Sequence, residues 1–113
     1  MKSDFIPPIR EATFKLWLAK QDPDYVGESF SGEHCPLAQW LFDCGVSSPY
    51  VSHTHAGNIF RRGIRKLPRW ASAFAQGVDY VGRAKAGRNT WAQPITRAEA
   101  FEVLELVRDG AWE

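Results

Sequence analysis

The stretch that decides the fold runs from Pro36 to Asn58, PLAQWLFDCGVSSPYVSHTHAGN. Its apolar period changes in the middle. Leu37, Trp40, Leu41 and Cys44 stand at i, i+3, i+4 and i+7, so they share one face of a helix. Pro36 suits the first helical position and Gly45 suits a left-handed cap, which bounds that helix at both ends. Beyond Pro49, Tyr50 to Thr54 is rich in aromatic and β-branched residues, and Ala56-Gly57-Asn58 carries a turn signal. This half reads as a strand opening a hairpin. A helix followed at once by a hairpin predicts an α+β fold.

On the N-terminal side, Phe14, Trp17 and Leu18 predict a helix over about Ile9 to Gln21, ended by Pro23. A loop follows from Asp24 to His34, with Tyr25-Val26 as a short strand. The return segment Ile59 to Leu67 fits either element. Phe60, Ile64 and Leu67 match a helix face, but Gly63 costs about 1 kcal/mol inside a helix relative to alanine, so a strand is expected. Trp70, Phe74, Val78 and Val81 predict a third helix from Pro68 to Val81, ended by Gly82. The last helix opens on Thr96 with Glu99 three residues later, a capping-box pattern, and runs to Gly110. Glu99, Glu102 and Glu105 are assigned to its solvent face. The expected architecture is a small single α+β domain over residues 1–113, with about four helices and a short β-hairpin.

The 113 residues contain 44% apolar and 24% charged side chains, within the range of one globular domain, and the aromatic content supplies a core without a disulfide scaffold. No apolar run approaches the roughly 18 residues of a spanning helix. Met1 to Arg10 holds Asp4, Pro7 and Pro8 where a signal peptide has its apolar core, so a cytoplasmic location with no membrane partner is expected.

Charge is segregated along the chain. Residues 1–58 carry net −3, residues 59–97 net +8 and residues 98–113 net −4. A clustered positive field attracts polyanions. Arg61, Arg62, Arg65, Lys66 and Arg69 flank the hairpin return, while Arg83, Lys85 and Arg88 follow, with Trp91 as an exposed stacking candidate. These nine residues form the candidate surface for nucleic acid or an acidic protein partner. The competing reading has the glutamates of the last helix neutralising the arginines. Trp70 and Phe74, at helical spacing, are assigned to the core rather than to base stacking.

Two further classes compete with the basic surface. Cys35, at a helix start beside His34, is a candidate thiolate, and Cys35, Cys44, His53 and His55 have the right count for zinc, His53 and His55 sharing one face of a strand. A thiol- or zinc-dependent enzyme would use these four. Against it, the short Cys-x2–4-Cys clip is missing, and on one helix the two cysteines lie about 13 Å apart along the axis, too far for a disulfide. The other class is an apolar interaction module or homodimer, formed through an uncovered face of the last helix or through Trp112. No glycine-rich phosphate loop and no paired-carboxylate pattern is present. The expectation is a small non-enzymatic binding protein with no cofactor, no metal ligands and no catalytic residues.

The order Asp24-Tyr25-Val26-Gly27, Cys35-Pro36-Leu37-Ala38, Leu67-Pro68-Arg69-Trp70-Ala71, followed by Phe74, resembles a group of small uncharacterised bacterial and phage-associated proteins that share D-x-V-G, C-P-L-A and L-P-x-W-A in that order. The likeness covers about residues 14–81. It implies an α+β fold and a bacterial or phage setting, in which an accessory or inhibitor role is expected, and it implies no catalytic residues.

Overall fold

The computed structural model describes residues 5–60, 63–86 and 92–108. The fold is α+β, with four helices and two small antiparallel sheets. Helix α1, Glu11–Ala19, buries Phe14 and Leu18. Phe14 is fully enclosed at the centre of an aromatic cluster, its ring 5.3 Å from Trp40, 5.6 Å from Trp17 and Trp70, and 5.0 Å from Phe74. Three helices thus converge on one side chain. Trp70 and Phe74 belong to the core, as their spacing predicts.

Helix α2, Pro36–Asp43, has Pro36 in its first turn and Cys35 as N-cap, the sulfur accepting the Ala38 N–H at 3.4 Å. At its C-terminus Gly45, with φ of 103°, lets its own N–H reach the Phe42 carbonyl and the Val46 N–H reach that of Leu41. This paired closure satisfies two carbonyls that the helix leaves open and turns Val46 back into the core.

The hairpin is shifted from its expected position. Strands β2, Pro49–Val51, and β3, His55–Asn58, pair antiparallel with Tyr50 opposite Gly57 and Val51 opposite Ala56. The turn is therefore Ser52–Thr54, not Ala56–Asn58. The cause is local: the Ser52 hydroxyl accepts the N–H groups of Thr54 and His55, a turn that serine offers and that the sequence signal at Gly57 masked. Among the described residues of the return segment only β4, Arg65–Lys66, joins this sheet, opposite Ala56 and His55, and Gly63 has the left-handed φ of 60° that interrupts a strand.

The strand expected at Tyr25-Val26 lies at β1, Gly27–Glu28, and its partner is β5, Pro94–Ile95, just before the last helix. Helix α3, Arg69–Ala86, continues past Gly82 instead of ending there. Gly82 is required for contact, since a Cβ there would overlap the Ser29 side chain, and the Ser29 hydroxyl accepts the Gln93 N–H. Ser29 is thereby held between α3 and the entry to β5. Helix α4, Arg97–Arg108, starts on the predicted reciprocal cap: Thr96 Oγ1 accepts the Glu99 N–H at 3.1 Å and Glu99 accepts the Thr96 N–H at 2.9 Å. It packs against α3 through Ala100, Val103, Leu104 and Val107. Among the described residues, no helix is long and apolar enough to cross a membrane.

Candidate functional site

The turn Ser52–Thr54 lies between two hollows, with β4 and the start of α3 on one side and the centre of α3 on the other. It is fastened to α3 twice. The Ser72 hydroxyl donates to the His53 carbonyl, and two turns further along the same helix Asp79 Oδ2 lies 2.6 Å from His53 Nε2.

The first hollow is a groove of about 570 Å³ whose polar wall is Thr54, Lys66, Arg69, Ser72 and Gln76. Lys66 comes from β4 and Arg69 opens α3, so the antiparallel pairing of β4 with β3 and the Leu67-Pro68 connection bring both cations to one place. Of the nine candidates, these two line the groove, and Arg65 is exposed next to Lys66. Arg83 is exposed fourteen residues beyond Arg69 on α3, about 21 Å along the axis, and does not line the groove. Lys85 is a structural strut, its Nζ donating to the Pro94 carbonyl at 2.6 Å and to Glu99 Oε1 at 3.0 Å and so joining α3 to β5 and α4. Arg61, Arg62, Arg88 and Trp91 lie outside the described residues, as does Trp112.

Two glutamates of α4 make separate contacts away from the groove. Glu99 takes Lys85, and Glu105 takes Arg108 on its own helix at 3.9 Å. Burial pushes the Glu99 carboxyl up, but the Thr96 N–H and the Lys85 ammonium outweigh burial and hold it below the ordinary carboxylate value.

The second hollow is a cleft of about 310 Å³ lined by Phe30, Tyr50, Val51, Phe74, Val78 and the His53–Asp79 pair, with Cys35 at one side. Asp79 spends both oxygens: Oδ2 on His53 and Oδ1 on the Phe30 N–H at 2.7 Å. Phe30 is held at a left-handed φ of 53°, a conformation that non-glycine residues rarely take. The Cys35 residue keeps some surface, but its thiol is enclosed. Burial pushes it up to about 11, with the charge of Asp79 adding to the shift and the N–H groups of Ala38 and Leu37 opposing it. Desolvation therefore wins over the helix terminus, and the thiol stays protonated near neutrality.

The zinc set is not assembled. Cys35 and Cys44 cap opposite ends of α2, His53 sits in the turn rather than on a strand beside His55, and His55 Nδ1 bonds the Thr54 hydroxyl at 2.8 Å. Among the described residues no three His, Cys, Asp or Glu side chains are grouped to hold a metal ion.

Sequence reading missed Asp79. It lies 26 residues from His53 and inside a long helix, with no neighbouring signal that marks it. The chain matches no family model, no curated protein and no solved structure.

Proposed function

We propose that the chain is a small non-enzymatic binding protein that engages the phosphodiester backbone of nucleic acid through the groove between β4 and α3. One observation carries this reading: Lys66 and Arg69 enter the same groove beside the hydroxyl of Thr54 and the amide of Gln76. Cations interleaved with neutral hydrogen-bonding groups are the means by which proteins hold phosphate oxygens. Glu99 and Glu105 of α4 pair with Lys85 and Arg108.

Fluorescence anisotropy with a labelled single-stranded oligothymidylate, read from low to moderate salt, tests the reading. Affinity is expected to fall as salt rises. Lys66→Ala combined with Arg69→Ala should weaken binding at least tenfold and flatten the slope of log affinity against log salt by about 1.4, two contacts at about 0.7 each. An unchanged slope in the double variant, or no binding at low salt, ends the assignment. Equal and equally salt-dependent capture of poly-glutamate would shift the partner to an acidic protein surface.

A further inference from the structure

The cleft on the other side of the turn takes no part in that function, and its chemistry differs. Its walls are apolar and aromatic: Phe74 is fully buried at the base, with Val51 and Val78 beside it, and the rings of Phe30 and Tyr50 stand partly exposed at the mouth. A volume of about 310 Å³ suits a one- or two-ring compound. Among the described residues, no lysine or arginine lines it.

Its recognition group is a histidine oriented by a carboxylate. Asp79 sits 2.6 Å from His53 Nε2, so a carboxylate facing that nitrogen keeps the ring proton there. In the tautomer that this contact favours, Nδ1 is the acceptor. Asp79 is itself immobilised by the Phe30 N–H, and the His53 main chain is held by Ser72, so the imidazole is oriented from both ends. The strained backbone of Phe30 is maintained by the same carboxylate that orients the histidine, an arrangement that places conformational cost at the rim of a hollow. The enclosed, protonated thiol of Cys35 adds a polarisable neutral wall and no charge.

We propose that this cleft binds a small neutral aromatic molecule carrying one hydrogen-bond donor, a ring N–H or a hydroxyl, with the ring between Phe30, Tyr50 and Phe74 and the donor on His53 Nδ1. An anion is disfavoured, because it would meet the Asp79 carboxylate in a cleft that, among the described residues, no lysine or arginine lines. The cleft shares no lining side chain with the cationic groove, so either proposal can fail without the other.

An NMR titration of the full chain with three probes, indole, N-methylindole and benzoate, provides the test. Indole is expected to bind saturably, shifting the amide resonances of Phe30, Tyr50, His53 and Val78. N-methylindole keeps the shape and loses the donor, and should bind about fivefold more weakly. Benzoate should show no saturation. His53→Ala should remove the difference between the two indoles, and Ala75→Phe, which adds a ring to the cleft wall, should abolish both. Equal affinities for indole and N-methylindole in the unmodified chain, shifts centred elsewhere, tighter binding of benzoate, or no saturable indole binding would each overturn the proposal. Should Ala75→Phe fail to fold, the comparison of the two indoles on the unmodified chain and on His53→Ala decides alone, since His53 is half exposed and outside the core.

Discussion

Cys35 shows how one residue's position settles a choice between chemistries. A thiol at a helix start is ordinarily made more acidic, yet here enclosure dominates and the sulfur serves as an N-cap acceptor. At pH 8 a thiol reagent should modify exposed Cys44 and spare Cys35, and Cys44→Ala should leave the folded chain nearly unreactive; rapid labelling of Cys35, read by peptide mass spectrometry, would contradict this. A thiol whose folded value is raised ionises more readily unfolded, so its contribution is intact below the ordinary thiol value and is lost as pH rises towards about 11. Urea melts of the parent chain and Cys35→Ser over that alkaline range should therefore differ in slope. Gly82 is decided by contact instead of charge. Gly82→Ala drives a methyl into buried Ser29 and should cost about 1–3 kcal/mol, and a thermal midpoint equal to the parent's would show that Ser29 can move.

Among the helices and strands, the legible ones had a signal within one turn of themselves. Pro36 and Gly45 bounded α2, and Thr96 with Glu99 opened α4, because caps are local chemistry. Thr96→Ala should cost about 1 kcal/mol by chemical denaturation. Glu99→Gln should cost under about 1 kcal/mol near neutrality. Since the Glu99 carboxyl is held below its ordinary value, its charged contribution is present above that value and disappears as pH falls through the folded one, so the Glu99→Gln deficit should vanish in acid. A deficit that persists there would place the effect in packing. The elements that misled were those set by distant partners or by a competing side chain. β5 exists because Pro94-Ile95 meets Gly27-Glu28, α3 runs through Gly82 because Ser29 occupies the missing side chain's place, and the hairpin turn moved because Ser52 captured two amides. None of these contacts is visible in a local period.

For the molecule as a whole, the fold is tied to Phe14, where α1, α2 and α3 meet. Phe14→Ala removes ring contacts to four aromatics at once and should lower stability by about 3–5 kcal/mol, a large part of what a domain of this size possesses. A loss below about 1 kcal/mol would mean that the cluster closes over the gap. The charge segregation of the sequence was readable as composition, but not its division of labour. Lys85 became a brace between α3, β5 and α4, while Lys66 and Arg69 became neighbours across a groove. The His53–Asp79 pair depends on a hairpin folding onto the middle of a helix, and no spacing rule anticipates that.

The turn that bears His53 is a partition one residue thick. Thr54 forms part of one chamber's wall and His53 part of the other's, and His53 ties the turn to one helix through both Ser72 and Asp79. A displacement that widens one chamber must narrow its neighbour. Ser72→Ala, which releases the partition at its middle, should therefore alter occupancy on both sides together, so a single alteration can appear in two unrelated assays without either being indirect.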